Sequence, residues 1–259
     1  MLNATIYYQT ITRDYSKTLS GTAAEPVVAR ETKYFLANIS KVKTVDQLLH
    51  NSRLYNYVMK AYGLGDQLNS RGLVKKVLEG GSTSSSALAN TLNDPRYLAM
   101  AKAFDFKANG TSTTSSQTAQ QGTVNSYLEQ TLEVDAGKQN PGTQKALYFK
   151  RMAPNIKDAY SILADKTLLS VVETTLGLPV TISLATIDAQ AHEINSRYKV
   201  SDLQDPAKLQ RFIERYTSTY DAQNWSPTSS TPTSALDVNT VGIGSDLLMS
   251  LSKLKLGGS

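Results

Sequence analysis

Cysteine is absent from the 259 residues, histidine occurs only 2 times and tryptophan once. The missing thiols exclude a disulfide framework, a thiolate zinc site, an iron–sulfur cluster and a cysteine nucleophile. Two histidines leave out most imidazole-rich metal sites as well. No run approaches the roughly 18 apolar residues that cross a bilayer, so no membrane span is expected. Met1 to Thr22 shows no cationic start followed by an apolar stretch, which argues against a secretory signal peptide. Excess charge is scarce too. The 27 Lys and Arg against 22 Asp and Glu give a formal net charge of +5, and the basic pairs Lys41/Lys43, Lys75/Lys76, Lys150/Arg151 and Lys253/Lys255 are scattered. They read as solvated helix faces, and no nucleic-acid partner is expected.

What is present is helical punctuation. A length prior of about 150 residues per domain allows one or two domains. Three small-polar stretches break the chain: Gly80–Ser86, Lys107–Ser126 and Ser226–Ser234. Their composition reads as loop or flexible linker, because it offers little apolar area against the entropy of ordering. Between them the two halves match. A displacement of 114 positions lays Tyr34-Phe35 on Tyr148-Phe149, Leu54 on Leu168, Val58 on Val172 and Gly63-Leu64 on Gly177-Leu178. A displacement of 111 lays Asp94-Pro95 on Asp205-Pro206.

The matched positions have physical roles. Thr44 and Gln47 form a capping-box pattern, and Asp158 is its aligned N-cap. Apolar residues at helical spacing follow each cap: Val45, Leu48, Leu49 and Val58 in one half, Ala159, Ile162, Leu163, Leu169 and Val172 in the other. Gly63 and Gly177 suit the left-handed residue past a helix end, with the next leucine packing back. Asp94-Pro95 and Asp205-Pro206 put a carboxylate at a cap and a proline at the first helical position. Further helices are expected near Arg30–Ile39, Asn69–Glu79, Pro95–Phe104, Val124–Val134, Gln144–Met152, Leu184–Arg197 and Pro206–Thr219. Strand alternation is hard to find. The expected fold is all-α, two related helical units from an internal duplication packed as a multi-helix bundle. The expected boundaries are a polar segment 1–29, unit one over 30–106, a Ser/Thr-rich linker 107–126, unit two over 127–225, and a linker with an amphipathic tail over 226–259.

Catalytic constellations are missing. His50 has Ala164 as its counterpart, and His192-Glu193 lacks the second histidine of a metalloprotease helix. Gly242-Ile-Gly244-Ser245 has neither a preceding strand nor a third glycine. No catalytic, metal or cofactor-binding residue is assigned, and no cofactor is expected. Interaction features are more visible. There are 14 tyrosines against 5 phenylalanines, and Tyr55, Tyr57 and Tyr62 lie close together; Tyr55 and Tyr62 are candidate partner-binding residues. Trp225 is a candidate docking anchor or a residue that closes the second unit. In the tail, Leu247, Leu248, Leu251 and Leu254 form an apolar stripe suited to folding back or to a partner's groove.

The motif Leu88-Ala-Asn-x-Leu92-x-Asp94-Pro95-Arg96-Tyr97, with Tyr34-Phe35, Ala61-x-Gly63-Leu64 and Ala103-Phe104-x-Phe106, resembles a domain-of-unknown-function family of alphaproteobacteria. Tyr148-Phe149, Leu163-Ala-Asp165, Gly177-Leu-Pro179 and Asp202-Leu-x-Asp205-Pro206 extend the resemblance over most of Arg30 to Asp221. Members are helical, often duplicated, and in some species encoded among flagellar genes. The resemblance therefore implies a non-enzymatic, flagellum-associated protein that acts through protein partners, flagellar components among them. It would be cytoplasmic, or exported to the flagellum without a cleaved signal. The alternative is a cytoplasmic ligand- or peptide-binding module, with its ligand held between the repeats.

Overall fold

A computed structural model describes residues 3–224 apart from position 93. The chain divides into a compact unit, Met1–Gln223, and a remainder, Asn224–Ser259, so Trp225, Leu247, Leu248, Leu251 and Leu254 lie outside the described residues. Among the described residues the structure is all-α. The helices are α1 (Ala4–Arg13), α2 (Tyr15–Ala24), α3 (Pro26–Ile39), α4 (Val45–His50), α5 (Ser52–Ala61), α6 (Arg71–Gly80), α7 (Leu88–Thr91), α8 (Pro95–Ala103), α9 (Phe106–Asn109), α10 (Thr123–Gln139), α11 (Pro141–Met152), α12 (Ala159–Leu163), α13 (Lys166–Leu176), α14 (Ile187–Arg197) and α15 (Pro206–Gln223). No helix among them is long and apolar enough to cross a membrane.

The caps explain where the helices start. Thr44 accepts from the Gln47 amide at 3.2 Å, while Gln47 reaches back to the Lys43 amide at 2.7 Å. Asp158 accepts from Ser161 at 2.8 Å and Asp94 from Arg96 at 2.9 Å. Asp205 accepts from Ala207 and Lys208 at 2.8 and 3.1 Å, and Pro95 and Pro206 follow their caps at the first helical position. Gly63 and Gly177 end α5 and α13 with φ of 72° and 62°. The Leu64 and Leu178 amides then close onto the Met59 and Glu173 carbonyls at 2.8 and 3.0 Å, the reverse turn expected of a left-handed cap.

The apolar period after Thr44 and Asp158 reads as one continuous helix in each half, but the structure breaks both. Asn51 separates α4 from α5, and Asp165 separates α12 from α13. Each caps the second helix, Asn51 accepting from Leu54 at 3.1 Å and Asp165 from Thr167 and Leu168 at 2.8 and 3.0 Å. Both residues offer a side-chain acceptor that competes with continued helix.

Two cores result. One gathers Phe35, Ile39, Leu48, Leu54, Met59, Val77 and Phe104; the other gathers Ile11, Phe149, Ile162, Leu168, Ile194, Phe212 and Ile213. The long helix α10 serves both, with Val124 and Tyr127 in the first and Leu132 and Ala136 in the second. The polar segment 1–29 takes part as well. Tyr8 and Ile11 of α1 enter the second core, and the Asp221 carboxylate accepts from the Ala4 and Thr5 amides at 2.6 and 2.9 Å. A carboxylate there meets unpaired N–H groups and the positive end of the helix dipole.

The stretch 107–126, expected to be a flexible linker, is instead ordered into the end of α9, a 3₁₀ turn Gly110–Ser115, a π turn Thr118–Gly122 and the start of α10. Threonine hydroxyls replace the missing apolar area. Buried Thr114 donates to the Val42 carbonyl at 2.6 Å, and buried Thr113 donates to Gly110 at 2.8 Å. Each such bond contributes about 0.5–1.5 kcal/mol net. The loop 81–87 is also held. Asp105 accepts from the Ser82 amide and hydroxyl at 2.9 and 2.8 Å, and from the Ala108 amide at 2.9 Å.

Candidate functional site

A cleft of about 490 Å³ opens where the two cores meet, walled by the end of α5, the start of α8, the middle of α10 and α11, and the start of α13. The sequence features already described build it. The Gly63 turn presents its carbonyl, which accepts from Arg96 Nη1 at 3.1 Å. Asp94, while capping α8, also accepts from Arg96 Nη2 at 2.9 Å. The same guanidinium lies 3.3 Å from Asp66 and 3.7 Å from Asp165. Asp165 belongs to the other half of the chain, is buried, and receives the Tyr148 hydroxyl as well as two amides of α13. One carboxylate therefore caps a helix, fixes a tyrosine and faces an arginine from the opposite unit.

Deeper in the wall, Arg151 donates to Glu133 at 2.6 and 2.9 Å and to Gln130 at 2.6 Å. The side chains of Arg151 and Glu133 are 9% and 3% exposed, so this ion pair is shielded from water. Burial pushes the Glu133 carboxyl up, against the pull of Arg151. Burial works against the charges of Arg96 and Arg151, but their carboxylate partners outweigh it and hold both guanidinium pKa values above the ordinary arginine range. Burial together with Asp165 raises the Tyr148 phenol, keeping it protonated as a donor.

The remaining cations of the wall are engaged too: Lys145 donates to Ser170 Oγ at 2.9 Å, and Lys60 sits 4.9 Å from the centroid of the Tyr127 ring. The volume matches that of small-molecule sites, although those are usually mostly apolar. This wall carries an unusual number of charged side chains, and its fixed charges can orient a polar ligand or tie the two halves together.

Of the residues singled out in the sequence, Gly63 lines the cleft and Asp94 orients its arginine. Thr44, Gln47, Asp158, Gly177, Asp205, Pro95 and Pro206 serve helix ends and are not among the cleft-lining residues. Tyr55 and Tyr62 are not on a partner-binding face. They are 1% and 5% exposed, and their hydroxyls bond the Leu68 carbonyl at 3.2 Å and Thr123 Oγ1 at 3.1 Å. Their neighbour Tyr57 stacks between Phe35 and Tyr127 at 4.4 and 4.0 Å. A tyrosine whose polar tip finds an internal acceptor packs as a core residue. Arg96, Glu133, Tyr148, Arg151 and Asp165 carry the cleft without having been picked out as site residues. The available signal was local: Asp165 occupies the cap position aligned with Asn51.

These features define an all-α protein with two cores on a shared helix and a charged cleft between them. Residues 61–209 match the family described as protein of unknown function (DUF1217), and the chain belongs to that family. It is also similar to a protein from Agrobacterium tumefaciens with an X-ray structure determined by structural genomics: 38% identity, TM-score 0.78, covering 87% of this chain and 98% of that one. No curated protein matches.

Proposed function

We propose that this protein is a non-enzymatic helical component associated with the bacterial flagellum, in an accessory, export-linked or structural role through protein–protein contacts. The observation that carries this reading is the resemblance, through Asp94-Pro95-Arg96-Tyr97 and its companion motifs, to an alphaproteobacterial family whose members are, in some species, encoded among flagellar genes. The internally paired charges of the cleft support a scaffold role. Deleting the gene should impair motility or alter filaments; normal swimming and normal filaments would overturn the reading. Export is tested by comparing culture supernatants of wild-type and export-apparatus mutants. Protein found only in the cell fraction of both would overturn the exported-component version.

We also infer that the chain arose by duplication. In support, 26–103 and 141–223 share a proline-started helix, a short capped helix, a second capped helix, a Gly-Leu stop and an Asp-Pro helix in that order, although α6 and α7 stand before the last of these in one half and α14 in the other. The cleft favours one second reading, a polar ligand or peptide held between the units. Thermal shift of the protein against a panel of polar metabolites tests it.

A further inference from the structure

A second groove, of about 350 Å³, lies away from the cleft, between the end of α13, the segment after α14 and the start of α15. Its floor is apolar: Leu176 and Phe212 are buried, and the Tyr198 ring lies 4.8 Å from Phe212. Its rim is basic. Lys208, Arg211, Phe212 and Arg215 follow the spacing of a single helix face, and all four line the groove.

The two arginines differ from five others in the fold; Arg13 and Arg71 also pair with no carboxylate among the described residues, Arg71 donating instead to the Leu49 carbonyl at 2.6 Å. Arg30, Arg53, Arg96, Arg151 and Arg197 each pair with a carboxylate. Arg211 and Arg215, both exposed, pair with none among the described residues. The carboxylates nearby are already committed: Asp202 is 2.9 Å from Lys208, and Asp205 accepts from two amides of α15. The groove thus combines two guanidinium forks that pair with no carboxylate among the described residues, about one helical turn apart, with an apolar floor.

We propose that this groove is a docking site for an acidic peptide segment of a protein partner. One apolar side chain of the segment would lie on Leu176 and Phe212, and neighbouring carboxylates would engage Arg211 and Arg215. Two features favour a peptide over a small molecule. The cationic rim is exposed, whereas small-ligand sites enclose most of their ligand. Guanidinium forks match carboxylates two atoms at a time, and interface cores favour arginine and aromatic residues. A nucleic acid would need a longer track of cations than this rim provides. The inference stands on the groove alone, so a motility result bears on the flagellar reading without deciding it.

The test is fluorescence anisotropy of the full chain with a dye-labelled heptapeptide, three glutamates on each side of a phenylalanine. Saturable binding is expected, weakening as salt rises from about 0.05 to about 0.5 M. The double variant Arg211→Gln/Arg215→Gln changes only exposed side chains. It should keep the wild-type melting temperature and lose at least about tenfold in affinity, which is about 1.4 kcal/mol. Replacing the peptide's phenylalanine by alanine should cost a similar factor. The proposal is overturned by no binding to the wild type, by equal binding to the double variant, or by equal binding of a peptide with lysine in place of glutamate. It is also overturned if free phenylacetate displaces the peptide at matched concentration, which would make the groove a small-anion site.

Discussion

Asn51 and Asp165 occupy the same place in the two halves and do the same local job, yet only one holds the molecule together across its middle. Asn51 caps α5 and stops there. Asp165 caps α13, takes the Tyr148 hydroxyl and faces Arg96 from the other half. The tyrosines matched by the same displacement also differ: Tyr34 lies under the Arg53 guanidinium at 3.8 Å, while Tyr148 is buried in the cleft wall. The comparison teaches that a helix cap is a ready-made place to put a charge. Once an acceptor is fixed by backbone amides, changing its amide to a carboxylate lets it also serve a long-range contact. The fold is kept and only the connection changes.

The comparison breaks most severely at the shielded pair. Glu133→Ala leaves Arg151 charged and buried without its ion-pair partner, and urea denaturation should show a loss of about 3–5 kcal/mol. Replacing both partners with apolar residues of similar size should recover most of it. Next comes the carboxylate itself. Asp165→Asn keeps the cap but removes the charge facing Arg96, with an expected loss of about 1.5–3 kcal/mol, whereas Asn51→Ala should lose only a cap, about 1 kcal/mol. No measurable loss in Asp165→Asn would mean the bridge contributes nothing beyond the cap. Thermal melts of Gly63→Ala and Gly177→Ala probe the matched helix ends. Both residues have positive φ, so each variant should lose about 1–2 kcal/mol. The added methyl at position 63 comes no closer than 3.4 Å to Gln130, so the two losses should agree within a few tenths.

The smallest effect is an acid limb. Burial would raise the Asp105 carboxyl, but the amide of Ala108 and both donors of Ser82 outweigh it, and its pKa is held below the ordinary value. That depression stabilises the fold above the unfolded aspartate pKa of about 3.9 and is lost as pH falls through the lower folded value. Asp105→Asn should therefore flatten the stability profile below about pH 4 while leaving the neutral-to-basic side parallel to wild type.

Local chemistry was legible and distant pairing was not. Thr44, Asp94, Asp158 and Asp205 could be read as caps because a cap is decided within four residues. Asn51 and Asp165 were equally local, but the apolar period running through them masked the break. The Ser/Thr-rich stretch misled because composition counts apolar area and overlooks hydroxyls such as that of Thr114, which finds a carbonyl 72 residues away. Tyr55 and Tyr62 misled because a tyrosine on a helix has the same spacing whether its ring meets a partner or its own core. The cleft was the least legible part. Arg96 and Asp165 meet only after α10 has brought the two cores together, and nothing near either residue announces the other.

Ala4 and Thr5 are tied to Asp221 across 217 and 216 positions of sequence. During synthesis at about 5–20 residues per second, α1 emerges some ten to forty seconds before the helix that holds it. Until then Tyr8 and Ile11 have no finished core to enter. The earliest part of this unit to be made is thus among the last to be secured, and a ribosome stalled short of α15 would hold a nascent chain with the Tyr8–Ile11 face of α1 uncovered.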